Sequence, residues 1–333
     1  MGHRKHSAPR RGSLAYLPRG RAPSLVPVIR TWPQVTSDKP LLLGFAGFKA
    51  ASINVITIDD REHTPNFGKP MYNPATVVAT PPLLMCGIRA YRKNGGALQS
   101  LTEVYGKELP KDLTRKVRIS PGKEEAGLNR VAKRLAEIVQ FSMLAYVQPS
   151  EIGLPQKKPF FFEIPMRGGD RNSQFEYAKS LLGKQMKASE VIKPGSHIDV
   201  GAVSKGKGFE GPVTRLGIKR KQHKSRKSVR AVGVLGPWHP ASVMYTVPRA
   251  GQHGFHQRVE YNKRVLLMGN STETPINPKG GFPHYGEVKG DYMVVRGSVP
   301  GAVKRFLKFR LPLRPPTAKI QPPKIMEISP ISG

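Results

Sequence analysis

Acidic residues are scarce in this chain. Its 22 Asp and Glu face 55 Lys and Arg, and the 333 residues carry a formal net charge of +33. The charged fraction of 23% is ordinary, so the anomaly lies in its sign. A compact domain with that surplus repels itself, so the working state calls for a polyanion. Cysteine is nearly absent as well. The single Cys86 excludes an internal disulfide, and its place in the apolar run 77–88 points to a small buried thiol rather than a nucleophile. Long apolar runs are missing: no stretch near 18 residues is apolar enough to span a bilayer. No signal-peptide segment follows the basic start either, because Pro9, Pro18, Pro23 and Pro27 interrupt it. The expectation is a cytoplasmic protein without a membrane partner.

Glycine and proline are plentiful, at 34 and 32 residues, and imply many turns and extended segments. Residues 1–33 hold seven cations and no acid, with prolines too closely spaced for a helix. They read as an extended basic arm, and ordering it costs on the order of 1–2 kcal/mol per residue, which phosphate contacts would have to offset. From Leu41 the pattern turns to short β-branched and apolar runs, at 53–58, 76–80 and 83–91, separated by Gly, Pro and Asn. Three- and four-residue steps through Leu128, Val131, Leu135 and Val139 predict an amphipathic helix within 123–146. Phe175, Ala178, Leu182 and Met186 predict a second over 173–186. These helices flank Phe160-Phe161-Phe162 and suggest an inserted α/β portion in a β-rich chain. Strand signals resume at 198–203, 231–235, 265–268, 292–299 and 303–309.

Segment 204–230 differs from its surroundings. Lys205, Lys207, Arg215, Lys219, Arg220, Lys221, Lys224, Arg226, Lys227 and Arg230 face Glu210 alone. A short run of mixed charge is usually a solvated face, but ten cations to one acid in 27 residues point to RNA or another polyanion.

No catalytic constellation emerges. Gly201 to Gly208 has the glycine and lysine spacing of a phosphate-cradling loop, yet Gly208 stands where a magnesium-binding hydroxyl belongs, and Gly211-Pro212 closes off the required helix. His253 and His256 lie three apart with Gly254 between them. With one cysteine and no HExxH pattern, no metal site is expected. Asp59-Asp60 and Glu124-Glu125 are adjacent pairs that suit a strand-end turn and a first helical turn. The residues thus name no catalytic group, cofactor or metal. A DNA-binding protein would share the charge, but helix-turn-helix, zinc-finger and basic-zipper patterns are absent.

Several blocks do carry a likeness. They are Gly2-His3-Arg4-Lys5, Ala8-Pro9-Arg10, Gly12-Ser13-Leu14, Leu17-Pro18-Arg19, Gly44 to Ala50, Thr80-Pro81-Pro82, Ser100 to Val104, Val203 to Gly211, Gly236-Pro237-Trp238-His239-Pro240 and Gly280 to Glu287. In this order they resemble the ribosomal large-subunit protein L3 family in its archaeal and eukaryotic branch. The resemblance implies a closed β-barrel like domain two of translation elongation factors, with an inserted α/β portion and two extensions. Expected boundaries are an arm at 1–33, a barrel from 34–110 and 187–310, an insertion at 111–186, a basic loop or tryptophan finger at 204–264 and a Pro-rich tail at 311–333.

The implied partners are large-subunit rRNA near its 3′ end and neighbouring ribosomal proteins, in the cytoplasmic ribosome, with no homo-oligomer expected. Trp238 would be the finger tip approaching the peptidyl transferase centre, and His223 aligns with a histidine methylated in some relatives. Ala50-Ala51-Ser52-Ile53 departs from the family's usual Ala-Gly-Met-Thr and touches a barrel turn or strand start. Read from residues alone, Trp238 suits a buried core or base stacking among His239, Arg249, His253, His256, Arg258, Lys263 and Arg264. With Arg4, Lys5, Arg10, Arg11, Arg19 and Arg21 of the arm, His223 and the cations of 204–230, these residues form the expected RNA-binding set.

Overall fold

The computed structural model describes residues 9–118, 124–225, 227–316 and 321–330, and Arg4, Lys5 and Arg226 lie outside them. In chain order the first strands are β1 (Leu41–Leu42), β2 (Gly44–Ile58), β3 (Pro70–Ala79), β4 (Leu83–Asn94) and β5 (Ala97–Tyr105). Then come α1 (Glu124–Lys133), β6 (Ile138–Val147), β7 (Phe160–Arg167), α2 (Arg171–Leu181), β8 (Gln185–Met186), α3 (Ala188–Val191) and β9 (His197–Val203). The rest are β10 (Gly206–Glu210), α4 (Pro212–Leu216), β11 (Gly251–Gly254), β12 (Gln257–Asn270), β13 (Asp291–Arg296), β14 (Phe306–Arg310) and β15 (Ile325–Pro330). The protein is mainly β, as its alternating apolar runs require.

The chain divides into two compact units, residues 1–24 with 203–257, and residues 25–202 with 258–333. In the larger unit β14 pairs with both β9 and β2, so the ladder β14-β9-β12-β13-β3-β2 returns to its start, and β15 adds outside β2. β2 shares its free edge: Gly44 to Phe48 pair with β14, and Ile53 to Thr57 with β15. A bulge between Lys49 and Ala51 separates the two stretches. The departure at Ala50 to Ile53 therefore falls inside a continuous strand, beside its bulge, and not at a turn or strand start. A second sheet runs β1-β7-β6-β4-β5, with β8 on β4. It draws on strands both before and within the expected 111–186 insertion.

Phe48 of β2 and Phe306 of β14 meet Phe160 and Phe162 of β7 in one aromatic cluster. The Phe160 and Phe306 rings stack at 4.4 Å. Cys86 is buried, and burial pushes its thiol up to about 12.

Three sequence expectations are corrected. The helix over 123–146 ends at Lys133, and Ile138–Val147 is the central strand β6, with Val139 on its exposed side. Its Ile, Val, Phe and Tyr side chains gain more from β4 and β7 on either side than from continuing a helix. Segment 231–235 is not a strand, for it has no neighbouring strand to pair with and Val234 is exposed. The second helix stops at Leu181, two residues before Gly183 with φ +77°, so Met186 lies on β8.

Lys308, on β14, is only 6% exposed, over the Trp32 ring at 5.3 Å and the Phe162 ring at 5.4 Å. Burial lowers its ammonium to about 8, against a weaker opposing pull from Glu163. The unfolded lysine keeps its proton to about 10.5, so between these values it holds a proton the folded one has lost, and stability from this group rises with pH. Lys308→Met is expected to be more stable than the parent near neutrality. Urea denaturation at several pH values should show that advantage shrinking through the window from about 8 to 10.5.

Candidate nucleic-acid interface

The smaller unit is built on a ribbon. β10 pairs with β11 in antiparallel register, Gly206 opposite Gly254 and Glu210 opposite Gly251. Gly254 has φ +69°, and a Cβ there would lie 2.0 Å from the Lys205 carbonyl, so only glycine fits. Arg215, on α4, braces the ribbon by donating from Nε to the Gln252 carbonyl at 2.9 Å and from Nη1 to the Arg249 carbonyl at 3.0 Å. Burial, and next the nearby Arg19, hold its guanidinium below the usual arginine range.

Residues 9–24 are tied to this ribbon. The Ala22 amide donates to the Phe255 carbonyl at 2.8 Å, and Arg21 lies 5.5 Å from the Phe255 ring centroid. The buried His256 ring meets the Gly20 carbonyl through Nδ1 at 2.8 Å, and its amide donates to Ser204 Oγ at 3.1 Å. The expected arm is thus divided at Ser24. Its later residues belong to the larger unit, where Ile29 is buried and the Thr31 carbonyl accepts from Arg310.

Between α4 and β11 the chain forms an irregular loop of turns. The Lys221 amide donates to the Val229 carbonyl at 3.0 Å, and Lys221 Nζ to Ser228 Oγ at 3.2 Å. Arg230 donates to Thr214 Oγ1 at 3.2 Å. Lys219, Arg220, His223, Lys224 and Lys227 are exposed, as are Lys205 and Lys207 on the ribbon side, His239 and Arg249 on the loop, and Arg11. Beyond them Trp238 is 89% exposed, which removes it from any core of this chain.

The remaining expected residues are engaged internally. Arg10 reaches the Thr246 carbonyl at 3.4 Å and Arg19 the Ser13 carbonyl at 3.1 Å. His253 lies 3.7 Å from the Glu210 carboxylate, and Arg258 is half-buried. Lys263 pairs with Glu260, and Arg264 grips Asp60, both within the larger unit. Sequence reasoning missed two aromatics of the smaller unit, Phe209 at 78% and Tyr245 at 79% exposure. Phe209 lies between Lys207 and Glu210 in a glycine-rich run, a signal that could have drawn attention to it.

A basic ribbon and loop with an unburied tryptophan and few acids suits an RNA surface. The sequence model of the family "Ribosomal protein L3" matches residues 1–328. The chain belongs to the ribosomal protein L3 family. It is similar to the large ribosomal subunit protein uL3 of Caldivirga maquilingensis, 44% identical with 99% of this chain and 98% of the relative covered. The uL3 proteins of Methanococcus vannielii, 42% identical over 99% and 98%, and Archaeoglobus fulgidus, 43% over 98% of each, are similar too. This L3-family chain is accordingly a structural protein of the large ribosomal subunit in the cytoplasm, and not an enzyme.

Proposed function

We propose that this chain binds large-subunit rRNA near its 3′ end through residues 1–24 and 203–257, and there helps assembly and fixes RNA beside the peptidyl transferase centre. One observation carries the reading: a loop of exposed cations presents a tryptophan that is 89% exposed. Lys and Arg hold phosphates, while an aromatic face stacks on an unpaired base for about 1–3 kcal/mol. The exposed Lys205, Lys207, Lys219, Arg220, His223, Lys224, Lys227 and Arg249, with Arg11 and Arg21 of the arm, are the contacts best placed for this. Arg215 and His256 serve instead by holding the ribbon and arm together.

The closed ladder of six strands supports a barrel like elongation-factor domain two, with residues 111–186, which carry α1, β6, β7, α2 and β8, as its inserted α/β portion. The chain would act as a single copy among neighbouring ribosomal proteins. Salt dependence tests the reading, since each neutralised phosphate contributes a slope of about 0.7–0.9 in log K against log salt. Replacing Lys219, Arg220, Lys224 and Lys227 with Gln should lower the slope for an rRNA fragment by roughly 3. An unchanged slope would return the run to a solvated face.

A further inference from the structure

In the larger unit, the starts of β9 and of the loop after β2, the middle of β12 and the end of β13 surround a cavity of about 580 Å³. Its wall carries Arg61, Arg264, Arg296, Lys263 and His197. Two of the arginines already have carboxylates. Arg61 donates to Asp59 from Nε and Nη2, both at 2.8 Å, and Arg264 donates to Asp60 from Nη1 at 2.8 Å and from Nη2. Arg296, the last residue of β13, is half-buried, and its side chain makes no hydrogen bond or ion pair among the described residues.

Burial first, then Arg61 and Arg264, hold the Arg296 guanidinium below the usual arginine range, while Asp59 and Asp60 oppose this more weakly. The His197 ring is lowered in the same way, by burial and then by Arg264 and Arg296. The Arg264 Nε is buried without an acceptor. An unpaired guanidinium beside two others weakens the free fold, and it gains a role once an anion enters. Planar N–H forks match the paired oxygens of a phosphate better than a single lysine does.

We propose that this cavity is a second RNA site, separate from the basic loop, in which Arg296 holds one phosphodiester group of ribosomal RNA beside the paired guanidinium groups of Arg61 and Arg264. The proposal rests on the rRNA-binding reading and adds Arg296, which no charge run reveals. The chain's surplus of +33 favours a polyanion over an acidic protein segment as the occupant.

The experiment uses the full chain, a transcript of the large-subunit rRNA 3′ region and the variants Arg296→Gln and Arg296→Lys. Arg296→Gln should weaken RNA binding about tenfold and lower the salt slope by about 0.7–0.9, while the melting temperature of the free protein holds or rises. Arg296→Lys should restore the slope but only part of the affinity, because the charge returns without the fork. A lower melting temperature with RNA affinity and slope unchanged would overturn the proposal and make Arg296 a structural residue. Stabilisation of the parent by inorganic phosphate, lost in Arg296→Gln without change in the RNA slope, would overturn it in favour of a free anion. The loop variants distinguish the two readings: if they flatten the slope and Arg296→Gln does not, only the cavity site fails. If neither does, both fail.

Discussion

Asp199→Ala is expected to destabilise the chain by about 3–5 kcal/mol, because it strands a buried guanidinium. Asp199 and Arg310 side chains are 0% and 3% exposed, and Arg310 donates to Asp199 Oδ2 from Nε at 3.0 Å and from Nη2 at 2.6 Å. The Asn262 amide at 2.9 Å and the Leu313 amide at 3.2 Å complete the carboxylate's hydrogen bonds. The pair thus ties β9 to β14, and through those amides to β12 and the chain beyond β14. Asp199→Leu combined with Arg310→Met should recover much of the loss, since no charge is left unpaired, but not all of it, because both amides lose their acceptor. Urea denaturation of the three proteins measures this. A loss below about 1 kcal/mol for Asp199→Ala would show that water reaches Arg310.

Trp238→Ala should do the reverse, leaving stability within about 0.5 kcal/mol of the parent and changing function. A buried tryptophan would cost about 3–5 kcal/mol when truncated, but this side chain has no core to leave a cavity in. Its loss removes stacking worth about 1–3 kcal/mol, so local RNA order should suffer up to a hundredfold. The variant should enter large subunits, and those subunits should differ in tRNA accommodation or in sensitivity to peptidyl transferase inhibitors. Thermal unfolding and subunit incorporation are to be measured together; a large fall in melting temperature with failed assembly would place Trp238 in a core.

The strands and the basic loop were legible in the sequence because alternation and charge are local signals. The runs at 53–58, 76–80 and 83–91 lie within or largely overlap β2, β3 and β4. Leu135 and Val139 misled because a three- to four-residue step also occurs where a short helix runs into a buried strand, and only the neighbours β4 and β7 decide between them. Of the expected RNA-binding residues, Arg215, His256 and Arg264 look like their neighbours in sequence. What separates them is a carbonyl or carboxylate brought from elsewhere in the chain. Arg296 is hidden for the opposite reason: a lone cation on an apolar strand carries no signal until folding sets Arg61 and Arg264 around it.

The tie between the arm and the ribbon also has a meaning in time. Gly20 and His256 hydrogen-bond across a separation of 236 residues, so the arm leaves the translating ribosome long before its binding groove exists. At about 5–20 residues per second, that delay is roughly 10–50 s. For that interval the cations of residues 9–24 are open to any polyanion nearby, and the smaller unit can close only when the chain is three-quarters made. A nascent chain halted before His256 should therefore show the arm open to protease, and one released beyond it should show the arm protected.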